Sequence, residues 1–229
     1  MTPDDAPAAG TTDPAVIAAR ADAVRQRIAD AGGDPERVRL LAVTKGFGPE
    51  VAAAAVAAGL VDLGESYAQE LVAKAPELAD GPVAPRWHLI GRLQRNKVRS
   101  LAGLVHRWDS VDRLELGREI AHRAPGATVL VQVNVTDEPQ KGGCAPAEVD
   151  GLVAALQGEG LVVEGLMAVG RAGDEVATRE GFATLVAAAD RLGLPERSIG
   201  MSGDLEAAVA AGSTMVRIGR DLFGERPPR

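Results

Sequence analysis

Short apolar runs and longer helical stretches alternate along this chain from residue 38 onward. The runs are VRLLAVTK (38–45), LVDLGES (60–66), RWHLIG (86–91), LVHRWDSV (104–111), ATVLVQVNV (127–135), LVVEGLMAVG (161–170), RSIGMSG (197–203) and TMVRIGR (214–220). Each reads as a strand, and segments of helical length such as PEVAAAAVAAG, APAEVDGLVAALQ and DLEAAVAAG separate most of them. Such alternation predicts a parallel sheet, and eight strands predict its closure into a (β/α)8 barrel, with an open doubly wound sheet as the rival. Little chain follows the eighth run, so the last gap around the barrel needs cover from elsewhere. Asp13-Pro14 supplies an N-cap and a proline at the first helical position, predicting a helix from about Pro14 to Ala31 that ends at Gly32-Gly33. Residues 1–12, rich in Pro, Ala, Asp and Thr, are expected to be a disordered tail; no linker divides 13–229, which read as one domain.

Composition narrows the function classes. The 229 residues are 46% hydrophobic and 25% charged, ordinary for a globular chain, and the 3% aromatics leave packing to Ala, Val, Leu and Gly. A formal charge of −7 argues against a general nucleic-acid binder. One segment departs from that balance: no acidic residue occurs from Gly81 to Trp108, and Arg92, Arg95, Lys97 and Arg99 fall within it. It is either a solvated face or a surface for an anionic ligand or partner. A single cysteine, Cys144, excludes an intramolecular disulfide and a cysteine-based zinc cluster, and fits a reducing compartment. The three histidines are too scattered for a metal site. The acidic start resembles no signal peptide, and the longest uncharged apolar run, Val51 to Val61, is too short to span a membrane. A cytoplasmic protein without membrane association is expected.

In a barrel of this kind, reactive groups gather at the C-terminal ends of the strands. There lie Lys45 (run one), Glu65-Ser66 (two), His88 with Gly91 (three), Asn134 (five), Met167 (six), Met201-Ser202 (seven) and Arg217-Ile218-Gly219 (eight). Strand alternation puts Leu41, Val43 and Lys45 on one face. If that face lines the barrel, burial lowers the ammonium pKa and leaves an amine able to attack an aldehyde. A lysine that merely snorkels to solvent is the plainer alternative. Ser202-Gly203 precede a helix from Asp204 to Ala211, and the following strand ends in Arg217-Ile218-Gly219-Arg220, a combination suited to a phosphate. Ser202 as an ordinary N-cap is the alternative. No Walker or Rossmann glycine loop is present.

These segments resemble those of the pyridoxal phosphate homeostasis family, the barrel-only relatives of the alanine racemase fold. The matching stretches are LLAVTKGF, LGESYAQE, WHLIGRLQRNK, VQVNVTDEPQKGG, GLMAVG and GMSGDLEAAVAAGSTMVRIGRDLFG, spanning about residues 38–226. The resemblance implies pyridoxal 5′-phosphate as cofactor, held as a Schiff base on Lys45. It implies Arg217 at the pyridine nitrogen, with Ser202, Gly203, Gly219 and Arg220 at the phosphate. Ser66, His88 and Met167 complete the expected cofactor contacts, and Lys141 matches a lysine placed near the cofactor or used in its release. Two departures stand out. The family usually has Asn where this chain has Ser66, which either approaches the cofactor through a water or caps the next helix with Gln69. The family usually has Thr or Ser where this chain has Arg220, so a hydroxyl contact is lost and a guanidinium is gained.

An arginine at the ring nitrogen makes only a weak electron sink, which fits racemisation and plain storage alike. Enzyme and carrier readings divide elsewhere. Racemase relatives take a second base, a tyrosine, from an additional C-terminal domain; this chain ends nine residues after Arg220, and its one tyrosine is Tyr67. The expectation is therefore a monomeric carrier that stores, carries or delivers the cofactor, with cofactor-requiring apo-enzymes as candidate acceptors. A small amino-acid racemase is the runner-up, and a class I aldolase with a cofactor-free Lys45 is the third reading.

Overall fold

The computed structural model describes residues 10–138 and 140–226. Eight parallel strands close into a barrel in sequence order: β1 (Arg39–Val43), β2 (Asp62–Glu65), β3 (Arg86–Leu89), β4 (Val105–Val111), β5 (Thr128–Gln132), β6 (Val162–Met167), β7 (Glu196–Ser198) and β8 (Met215–Ile218). Seven fall inside the apolar runs, and β7 begins one residue before its run, at Glu196. β1 closes the ring on β8, with Leu41 opposite Arg217 and Ala42 opposite Ile218.

Helices α1 (Pro14–Asp30), α2 (Pro49–Ala57), α3 (Ala68–Ala79), α4 (Val98–Leu101), α5 (Leu114–Arg123), α6 (Val149–Gly158), α7 (Glu175–Arg191), α8 (Leu205–Ala211) and α9 (Arg220–Phe223) form the outer layer. The main core lies between them and the outward strand residues, where Leu63 of β2 meets the cluster that includes Leu71 and Ala75 of α3. Tight packing at small residues marks this layer: a Cβ on Gly117 of α5 would lie 2.0 Å from Leu156 of α6. The basic segment forms a 3-10 turn (Arg95–Lys97) and α4, which buries Val98 and Leu101 and leaves Arg92, Arg95 and Arg99 exposed.

α1 supplies the cover that the eighth strand lacks. Asp13 caps it by accepting from the Ala15 amide at 2.9 Å. Its buried stripe is Ile17, Ala21, Val24 and Ile28; the larger of these side chains contribute ~1.5–3 kcal/mol each. It packs against α2, α8 and α9. Arg27 links it to Glu206 and Asp221 at 2.8 and 2.7 Å, and Arg20 donates to the Leu222 carbonyl. Of the expected tail, residues 1–9 lie outside the described residues. Gly10 is buried against Phe47, and the Thr11 amide donates to the Phe223 carbonyl at 3.0 Å.

Charged residues fill the barrel's N-terminal half. Asp62 accepts from Arg86 at 2.7 Å through both of its oxygens and from His88 Nε2 at 3.1 Å. His88 Nδ1 faces Asp109 at 3.4 Å, and Arg107 donates to both oxygens of Asp109 at 2.8 and 3.2 Å. Arg107 also reaches Glu164 and Glu196, the latter paired with Arg39. A histidine with a carboxylate at each ring nitrogen donates twice only as an imidazolium. Burial works against that charge, but the hydrogen bonds to Asp109 and Asp62 outweigh it and hold the His88 pKa above its ordinary value.

Candidate functional site

β1 ends at Val43, and the chain turns at Gly46, whose φ of +78° is left-handed and favours glycine. Lys45 stands in this turn, half-buried at the C-terminal mouth of the barrel. It enters a cavity of about 320 Å3, within the ~300–1,000 Å3 range of small-molecule sites. The walls come from the strand ends: Val43 and Lys45 after β1, Ser66 after β2, Ile90 after β3, Val169 after β6, and Arg217 with Gly219 at β8. The loop before α8 adds Met201, Ser202 and Gly203, and Arg226 returns from the C-terminal segment.

Arg217 is buried and fixed. Its guanidinium donates to the Ser198 carbonyl and hydroxyl at 2.5 and 2.9 Å and to the Ala168 carbonyl at 2.7 Å. Among the described residues, none of Lys45, Arg217, Arg220 and Arg226 has a carboxylate ion-pair partner, although Glu225 also lines the cavity. Four cations thus face one small space against a single acid. Burial lowers the Lys45 pKa, and the positive charges of Arg226 and Arg217 lower it further. The arrangement suits a small anion that also reacts with an amine.

A larger cavity of about 810 Å3 adjoins this one, sharing Val169, Met201 and Gly203. Its cations are already neutralised: Lys141 pairs with Glu138, Arg171 lies 3.8 Å from both Glu138 and Asp174, and Arg179 pairs with Glu175 at 2.6 Å. Lys141 donates to the Gly170 carbonyl at 2.7 Å and faces this second space, outside the lining of the Lys45 cavity. Unpaired charge, rather than volume, sets the smaller cavity apart.

Seven of the nine residues expected at the site line it together: Lys45, Ser66, Ser202, Gly203, Arg217, Gly219 and Arg220. Two do not. His88 is consumed by Asp62 and Asp109, and Met167 is almost fully buried below the cavity floor. Both face inward but one layer too deep. Two residues along each strand, Ile90 and Val169 are the ones that reach the cavity. Neither helix-capping alternative holds: Tyr67, not Ser66, is the N-cap of α3, and Asp204, not Ser202, is that of α8. Asp204 instead accepts from the Met201 amide at 2.5 Å, shaping the loop that presents Ser202 and Gly203. Ser66 is braced from behind, because a Cβ on Gly91 would sit 2.1 Å from its carbonyl oxygen.

The family described as alanine racemase, N-terminal domain, matches residues 13–227. The chain is 42% identical over 220 residues to the pyridoxal phosphate homeostasis protein of Pseudomonas aeruginosa, covering 93% of this chain and 94% of that protein. With the protein of the same name from Escherichia coli the identity is 39%, covering 89% and 94%. Among solved structures, PipY of Synechococcus elongatus with PLP bound superposes with a TM-score of 0.75 at 31% identity, covering 88% of this chain and all of PipY.

Proposed function

Because the chain belongs to the pyridoxal phosphate homeostasis protein family, built on the alanine racemase N-terminal domain, we propose that the Lys45 cavity holds pyridoxal 5′-phosphate and that the protein stores, carries or delivers it. The observation that carries this reading is the set of unpaired cations around a half-buried lysine of lowered pKa. When bound, the cofactor supplies an aldehyde and an electron-withdrawing ring.

Lys45 offers the amine to that aldehyde. Ser202, Gly203, Gly219 and Arg220 take the phosphate, where close backbone approach at the two glycines complements the Arg220 charge. Arg217, locked by Ser198 and Ala168, serves the ring nitrogen. A guanidinium there provides no carboxylate to keep the ring protonated, so the electron sink is weak, which fits carriage and racemisation alike. Ser66 sits on the side of the ring hydroxyl. His88 and Met167 support the floor from below. The proposal includes a monomer acting in the cytosol, for which the lone buried thiol of Cys144 speaks, and apo-enzymes as acceptors. No helix among the described residues is long and apolar enough to cross a membrane.

Titration with pyridoxal 5′-phosphate followed by visible absorbance tests the reading. A saturable band that Lys45→Ala abolishes, release of the cofactor to an apo-enzyme, and no D-enantiomer from single L-amino acids are expected. Efficient racemisation would overturn the carrier assignment.

A further inference from the structure

Behind Lys45, on the outer side of the barrel, lies a charged cluster that the cavity does not use. Glu65 is fully buried and turned toward α3 rather than the mouth. Its Oε1 accepts from the Thr44 hydroxyl at 2.7 Å and from Lys74 Nζ at 2.6 Å, while Oε2 has no hydrogen-bond partner. Lys74, itself buried, donates also to the Thr44 carbonyl at 2.8 Å. One turn earlier on α3, Glu70 accepts from the Gly46 amide at 2.7 Å and lies 3.7 Å from Lys74. Three atoms of the residues on either side of Lys45 are thus held: the Thr44 hydroxyl, the Thr44 carbonyl and the Gly46 amide.

We infer that Glu65, Lys74 and Glu70 form a positioning clamp for Lys45, fixing the backbone from both sides so that the amine meets an aldehyde in the cavity at a set angle. The inference rests on the reading of Lys45 as the attachment point. A buried ion cluster is costly to assemble and is weak evidence for stability alone. Its contacts here converge on the two neighbours of the reactive residue, in a turn that the β-ladder has already left. Without them the lysine would hang from a two-residue turn whose remaining restraints are the Thr44 amide on Gly64 and the Phe47 amide on the Thr44 carbonyl. None of the three residues lines the cavity; they hold the backbone on either side of Lys45, and the charges of Glu65 and Glu70 also oppose the lowering of its pKa.

The test compares two ligands on the full chain. Pyridoxal 5′-phosphate needs the amine, whereas pyridoxine 5′-phosphate has the phosphate and ring but no aldehyde. Glu70→Ala and Thr44→Val should slow covalent loading by pyridoxal 5′-phosphate at least about tenfold, since a misplacement of ~1 Å costs a reacting group up to ~10²-fold. Glu70→Gln keeps an acceptor for the Gly46 amide and should recover loading to within a factor of about three. Pyridoxine 5′-phosphate affinity should stay near the native value in all three. Parallel loss of both ligands would reduce the cluster to general structure and overturn the clamp, as would native loading rates in Glu70→Ala and Thr44→Val. A native chain that binds pyridoxine 5′-phosphate yet never loads the aldehyde would instead sink the Lys45 assignment, and the clamp with it.

Discussion

Replacing Lys74 by Met is the sharpest probe of the buried charge behind the site. The change keeps most of the side-chain volume and removes the ammonium from a carboxylate that has no solvent exposure. Glu65 would retain only the Thr44 hydroxyl, because its second oxygen has no hydrogen-bond partner even in the native chain. Breaking one side of a buried pair costs ~3–5 kcal/mol. For a chain of this size each kcal/mol lowers Tm by ~2–4 °C, so a fall of roughly 6–20 °C is expected near neutral pH. Burial already raises the Glu65 pKa, against the pull of Lys74, and losing Lys74 raises it further. A carboxyl with a raised folded pKa destabilises the fold only where it must ionise. The deficit therefore grows as pH rises from the unfolded value of ~4.3 and shrinks toward acid. Thermal melts across that range, run beside the double variant Glu65→Leu/Lys74→Met, measure it. Most of the loss should return in the double variant, since an apolar pair of similar volume is tolerated. A fall below ~1 kcal/mol, or a double variant no better than the single one, would refute the argument by showing the pair behaves like a solvated surface bridge.

His88 gives a second pH signature with the opposite sign. Its folded pKa is raised, so its stabilisation is full below the unfolded value of ~6.5 and is lost as pH rises through the folded one; His88→Gln should flatten that alkaline decline in Tm. The depressed pKa values of Asp62 and Asp109 act at the other end, with stability present above ~3.8 and lost as pH falls. Gly91→Ala, whose Cβ would meet the Ser66 carbonyl at 2.1 Å, should cost ~1–3 kcal/mol in denaturant melts and weaken cofactor binding by displacing Ser66. Cys144, whose pKa burial and Glu148 push up to about 11, should be labelled by a thiol reagent at pH 8 about a hundredfold or more slower in the folded chain than in urea.

The barrel was legible because its signals are local and repeated. Eight apolar runs, each with a following turn, leave few ways to close a parallel sheet, and Asp13-Pro14 marks the start of α1 within a residue. At the site, strand alternation put Lys45 on the face of Leu41 and Val43, and strand-end position picked out Ser66 and Arg217; all three line the cavity. Depth was the hidden quantity. His88 and Met167 share the inward face with Ile90 and Val169, but a strand pattern does not say which inward residue is the last below the mouth. The His88 partners also come from separate strands, Asp62 on β2 and Asp109 on β4, brought to it by the pairing of β3 with both. Arg226 was invisible for another reason, since it reaches the cavity from an irregular segment with no period to read. Glu65 looked like a mouth residue because it ends β2, yet its parity with Leu63 sends it outward to Lys74.

The central claim is that Lys45 is where the cofactor attaches. Borohydride reduction of the chain loaded with pyridoxal 5′-phosphate, followed by mass spectrometry of its peptides, measures this directly. The account predicts a single reduced pyridoxyl adduct on the peptide carrying Lys45, absent from Lys45→Ala. An adduct confined to another lysine, or none with excess cofactor, would contradict it.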